Sequence, residues 1–270
     1  ANSAFVSADD FNRADWHKYP RHDYATFNPV QTWIEYVNRL ATGVFALPVL
    51  LMVFFSFVRM RRRGDVLTFL LGVGAVVLIG FEAWLGKLVV DGNLKTSSIT
   101  LHMIGSLAIV MCLIGILHRM RRVTLYGPFS WRIRLATWIG LLLAVVQIML
   151  GTQVREETDH IAAIIEDRSQ WVDQMSVMFY IHRSFSIAVA LVVIWTWFLL
   201  RTTTLYSWGN ALVALIAIEV LAGVVLTYFN MPAFMQPVHL LAAVMWFGLA
   251  VYLVIVTRGL ADGLNGRLAD

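Results

Sequence analysis

The sequence predicts an all-α membrane protein, a polytopic bundle of transmembrane helices, and three observations carry that reading. Of its 270 residues 59% are hydrophobic and only 14% charged, far too much apolar surface for one soluble core. Seven apolar runs approach the roughly 20 residues that cross a bilayer as a helix. Lipid admits only helices or closed barrels, and these runs are too long and too continuous for barrel strands.

The runs lie at about 34–58, 66–86, 99–118, 134–154, 176–200, 209–229 and 237–257. None has the short apolar core and small-residue cleavage site of a signal peptide, so all are read as retained spans. Basic residues orient them, because short cytoplasmic loops are enriched in Lys and Arg. "RMRRRGD" (Arg59 to Asp65) and "HRMRRV" (His118 to Val123), followed by Arg132 and Arg134, are expected inside. The alternate loops "KLVVDGNLKTSS", "REETDHIAAIIEDRSQWVDQ" and "NMPAFMQP" are expected outside, as in a bacterial inner membrane with a cytoplasmic C-terminus. The formal charge of +4 then reflects inside-positive loops, and no nucleic-acid partner is expected. The single Cys112 lies within a span, so the sequence offers neither a disulfide nor a thiolate metal site.

The chain repeats itself. "EYVNR" in the first span corresponds to "YIHRS" in the fifth, and "ITLHMIGSLA" in the third to "QPVHLLAAVM" in the seventh. Asn38 thereby aligns with His182, and His102 with His239. A polar residue four before a glycine recurs as Glu82 with Gly86, Gln147 with Gly151 and Glu219 with Gly223, where glycine lets a backbone or a flat ligand approach closely. The expected division is an outward loop over 1–31, an N-terminal helical unit over 32–125, a C-terminal unit over 131–260 and a cytoplasmic tail over 261–270. The second unit has four helices and the first only three. This predicts an eighth helix ahead of Ala1, the alternative being a true seven-helix protein with an outward amino terminus.

Asn38, His102, His182 and His239 all fall within about two turns of the outward helix ends, so they share one leaflet. Intramembrane ionisable groups are costly and tend to mark function. A lone histidine near a helix end is ordinarily a satisfied interfacial residue; three at repeat-related positions are not so readily explained. No HExxH pair or cysteine cluster is present, and the histidines stand on separate helices, which argues against a zinc protease. Two histidines on facing helices suit the axial positions of a heme. His182 and His239 make a complete pair, fit for electron transfer. His102 opposite Asn38 would leave an iron with an open face, since a carboxamide is a poor ligand.

Glu35 lies one turn before Asn38 on the same helical face. It is a candidate general acid or base beside that open site, or simply the ion-pair partner of Arg39. Arg39, Arg155 and Arg183 are candidates to bind heme propionates, or ordinary interfacial anchors. In "DHIAAIIEDRSQWVDQM", Ile161, Ile164, Ile165 and Trp171 suggest one apolar stripe of a short surface helix, acting as a lid or as a plain connector. His17, His22 and His160 are read as solvated.

Taken together, "IEYVNR", "LGKLVV", "ITLHM", "LGTQVRE", "IHRSFS" and "PVHLL" resemble the heme A synthases, over nearly the whole chain from Phe27 onward. Members of that family are polytopic enzymes of two pseudo-symmetric four-helix units that oxidise a methyl group of heme O to the formyl group of heme A. The resemblance implies that His182 and His239 ligate a resident heme b, that His102 belongs to the site of the substrate heme O, and that Glu35 is the essential carboxylate. It also implies a helix ahead of Ala1. Expected partners are membrane lipid, quinol or another electron donor, heme O synthase and terminal oxidase assembly factors. Exposed aromatic residues fit a homo-oligomer and lipid contact equally well. The chain departs from the family pattern at Asn38, where His is usual, and at Glu82 and Glu219, where Gln is usual. Rival readings are a diheme electron carrier and a non-catalytic heme chaperone.

Overall fold

The computed structural model describes residues 29–91, 96–120 and 129–265. They form seven helices: α1 (Pro29–Arg63), α2 (Val66–Asp91), α3 (Thr96–Met120), α4 (Trp131–Ala162), α5 (Val177–Leu200), α6 (Tyr206–Tyr228) and α7 (Met235–Asn265). Two 3-10 turns, Arg168–Gln170 and Val172–Gln174, lie between α4 and α5. Among the described residues these seven helices are each long and apolar enough to span a bilayer, as the apolar runs predict. Residues 1–28 of the expected outward loop fall outside the described residues, whereas 29–31 already belong to α1; the expected eighth helix and half of the predicted tail also fall outside, the tail's first five residues continuing α7.

Each helix end has a local cause. α1 runs through the basic "RMRRR" and stops at Gly64, whose φ of +68° suits a residue without a Cβ and whose amide donates to the Met60 carbonyl at 2.9 Å. Asp65 then caps α2, accepting from the Thr68 amide (3.3 Å) and hydroxyl (2.8 Å). The same carboxylate takes Arg59 of α1 and Arg119 of α3, each at 2.6 Å. Part of the basic run is thus a clamp on three helices. Ser130 and Ser176 cap α4 and α5 with their side-chain oxygens.

α4 extends to Ala162, well past the predicted end near residue 154, and takes in "REETDHIA" from the expected loop. The cause is a continuing apolar row: Val154 and Ile161 pack beneath a buried cluster of Trp171, Met175, Phe179 and Met231. The following segment is therefore neither a surface helix nor a bare connector. It is a packed cap of two 3-10 turns, with Trp171 buried and its indole donating to the Ile165 carbonyl at 2.8 Å. Ile164, expected on the apolar stripe, is 84% exposed, because the helix has ended before it. Arg168 lies over the Trp171 ring and donates to the carbonyl of Met231 at 2.7 Å, tying the cap to the α6–α7 turn. In that turn Asn230 and Met231 both take positive φ.

α4 packs on α5, α5 on α6, α6 on α7, and α7 back on α4, so the second half is a closed ring of four helices. α5 and α7 face each other across one diagonal of the ring, α4 and α6 across the other. In the first half α1 packs on α2 and α2 on α3. α3 joins the halves by packing on α7 and α4, with Thr100 and Thr152 hydroxyls 3.0 Å apart. α7 is the hub: 67% of its apolar window is buried, against 6% for α1. Its Trp246, Phe247 and Leu253 fill the core with Ala144, Val189 and Val193. Lipid is as apolar as these side chains, so close fit and dispersion rather than escape from water hold them together.

Candidate functional site

His102, His182 and His239 lie near one end of the bundle, opposite the basic clamp, while His118 stands beside Arg119 at the clamp end. His182 of α5 and His239 of α7 meet across the ring diagonal with ring centres 6.4 Å apart and planes at 82°. Two imidazoles sharing one metal on a straight axis stand roughly 6.2 Å apart, given about 2.0 Å per metal–nitrogen bond and about 1.1 Å from nitrogen to ring centre. The pair therefore has the span that a shared iron requires. Among the described residues no group of three or more His, Cys, Asp or Glu side chains is placed to hold a bare metal ion. Two ligands are the number left to the protein when a macrocycle supplies four.

The other diagonal leaves room. A Cβ at Gly151 of α4 would stand 3.2 Å from Cε1 of His182, and one at Gly223 of α6 would stand 4.0 Å from Cε1 of His239. Both positions of the repeated polar-x3-glycine element thus flank the histidines. The Nδ1 atom of His182 and the Oε1 atom of Gln147 are buried without hydrogen-bond partners, while the Gln147 amide donates to the His182 backbone carbonyl at 3.1 Å.

The extension of α4 fixes where both ligand helices begin. Glu157 accepts from the Ser176 amide at 2.6 Å and its hydroxyl at 3.0 Å, which sets the start of α5 less than two turns before His182. Arg155, expected at a propionate, is held by Asp159 at 2.8 Å and by the side chain of Gln236, one turn before His239. Arg183 is exposed beside His182, and His160 is exposed near the end of α4.

In the first half His102 is half exposed, and its Nδ1 lies 2.6 Å from Oε2 of the buried Glu82. Glu219 repeats this contact with His239 at 2.8 Å. In the sequence these glutamates stand out as companions of a glycine and as departures from the usual Gln, not as partners of a histidine. The signal that pairs them was there: each stands twenty residues ahead of its histidine. Asn38 and Arg39 are exposed on α1, and the Asn38 carbonyl accepts from Thr42 at 3.0 Å. The backbone of Glu35 belongs to α1, but its side chain lies outside the described residues, and the proposed pairing with Arg39 lies outside with it.

Residues 7–251 match the family described as cytochrome oxidase assembly protein, which includes the heme A synthases. The chain belongs to that family. Comparison with curated proteins gives no match. For a cytochrome oxidase assembly protein the site is well formed on one side: a partly buried histidine pair inside a closed helical ring, beside the Trp171 cluster. On the other side a single, more open histidine is backed by a carboxylate.

Proposed function

We propose that this integral membrane protein is a heme A synthase, oxidising a methyl group of heme O to a formyl group for a terminal oxidase. One observation carries the reading: two histidines from diagonal helices of a closed four-helix ring, separated by the span of a bis-imidazole iron. His182 and His239 would hold heme b, and His102 would hold the substrate heme O. When bound between His182 and His239, heme b would supply one-electron redox chemistry.

The chain's own residues then have distinct tasks. Gly151 and Gly223 keep α4 and α6 clear of the two imidazoles. Glu157 and Arg155 fix the depths of His182 and His239 by pinning the first turns of their helices. The Trp171 cap excludes water from that end of the ring. Asn38, where the repeat has His182, leaves the substrate side short of a second strong ligand, and Glu35 one turn away is the candidate to take or give a proton there. Arg39 and Arg183 are placed in sequence to meet propionates. In this reading the histidine end faces away from the cytoplasm of a bacterial inner membrane, and heme O synthase delivers the substrate. Dioxygen supplies the oxygen atom and the oxidising equivalents in two successive hydroxylations followed by loss of water, and quinol or another donor supplies the accompanying electrons through heme b.

The test is to purify the chain from a host that makes heme O, extract its hemes in acid solvent and identify them by chromatography and mass. Heme B together with hydroxylated or formylated heme O is the expected result. Heme B alone would turn the reading to an electron carrier, and unmodified heme O beside it to a heme chaperone.

A further inference from the structure

The repeat preserves a contact as well as the histidines. Glu82 of α2 and Glu219 of α6 each place Oε2 against Nδ1 of a histidine on the next helix, at 2.6 Å and 2.8 Å, with side chains only 9% and 11% exposed. A carboxylate buried at membrane depth is costly unless it has a partner. Here the space for it is built in: a Cβ on Gly105, one turn after His102, would collide with the Glu82 carboxylate. Ser106 donates to the same Oε2 at 3.3 Å. At the second site the oxygen approaches Nδ1 of His239 to 2.8 Å without meeting hydrogen-bond geometry in the structure.

We propose that Glu82 and Glu219 are positioning residues for the two hemes, a role that rests on the reading above. A carboxylate that accepts the Nδ1 proton fixes the tautomer and leaves Nε2 as the nitrogen that faces iron. It also makes that nitrogen a stronger donor, which favours ferric over ferrous iron and lowers the reduction potential. His182 has no such partner, because Gln147 spends its amide on the backbone and the Nδ1 of His182 stays unpaired. The device therefore sits on one ligand per heme. At the first site, where Asn38 replaces a histidine, it acts on the one imidazole that remains and offsets the lost ligand.

The experiment is potentiometric titration of the heme bound to the purified full chain, wild type against Glu219→Gln, Glu219→Asp and Glu156→Gln. Glu156 is a buried carboxylate of α4 with no histidine contact of this kind among the described residues, and it controls for loss of charge alone. Glu219→Gln should keep its heme with a midpoint shifted to more positive potential, Glu219→Asp should return toward wild type, and Glu156→Gln should move it less. For Glu82→Gln, reduced protein loaded with heme B should show a weakened iron–histidine stretching band. An unchanged midpoint in Glu219→Gln with heme retained would overturn the inference, as would an equal shift in Glu156→Gln. If Glu219→Gln sheds heme, recovery in Glu219→Asp supports the role and the same loss there overturns it. A wild-type chain without a bis-histidine heme would instead overturn the functional reading, and this inference with it.

Discussion

Gly151 of α4 and His182 of α5 are packed so closely that a methyl group on the glycine would stand 3.2 Å from Cε1 of the imidazole. The ring must then give by a few tenths of an ångström. Overpacking of this kind costs about 1–3 kcal/mol, roughly five- to hundredfold in heme affinity. Gly151→Ala should lower heme retention accordingly, and Gly151→Val should abolish it. Gly223→Ala meets only ordinary contact at 4.0 Å from His239 and should leave the helical fold and its thermal stability unchanged. Heme content per protein, measured by absorbance beside circular dichroism, checks all three.

Arg155 and Glu157 hold the first turns of α7 and α5, so their removal should loosen the ligands without unfolding the ring. These contacts are exposed to solvent, where losing a charged pair costs about 0.2–1 kcal/mol. Arg155→Ala and Glu157→Ala should each speed the transfer of heme to an apoglobin scavenger, and the double variant more than either. Arg155→Lys should behave like Arg155→Ala, since one ammonium cannot replace the fork shared between Asp159 and Gln236.

Membrane helices are legible because length and apolar content alone decide them, and all seven spans were found in the expected order. Their ends were less so. α4 runs past residue 154 because Val154 and Ile161 meet Trp171 and Phe179, a tertiary contact that a hydropathy pattern does not contain. The repeat singles out His102, His182 and His239 as candidates, and the structure sets the rings of His182 and His239 6.4 Å apart across the ring of helices. What the repeat did not reveal is direction. Glu82 and Glu219 turn toward the neighbouring histidines rather than toward a ligand, and Arg155 turns to Gln236, because helix rotation is set by packing between helices.

Asp65 ties α1, α2 and α3 together at the basic end, and it lies outside the spans. The Arg119 guanidinium, then Arg59 and the Thr68 hydroxyl, hold its carboxyl well below the usual carboxylate range. A pKa depressed on folding gives stability that is complete above the unfolded value of about 3.9 and is lost as pH falls through the folded one. Asp65→Asn should therefore lower the thermal midpoint of the detergent-solubilised protein by a constant amount above about pH 5, with the gap to wild type closing below about pH 4. A gap that instead widens in acid would show that the clamp does not depend on the carboxylate charge.

Asn38 is exposed on α1, and among the described residues the hydrogen bond it accepts uses its backbone carbonyl, which a side-chain exchange keeps. In the repeat its counterpart is His182, half of the bis-histidine pair. If the first half holds heme O through His102, then Asn38→His supplies the second axial ligand and converts an open iron into a closed one. The expected outcome is a second low-spin signal in electron paramagnetic resonance, in addition to that of the His182 and His239 heme, and a drop in carbon monoxide binding by the reduced protein. The double variant Asn38→His, His102→Ala should lose the added signal, because a single imidazole on α1 lacks its partner. Retention of carbon monoxide binding at the wild-type level in Asn38→His would mean that Asn38 does not face the iron, and the open site would have to be sought elsewhere around His102.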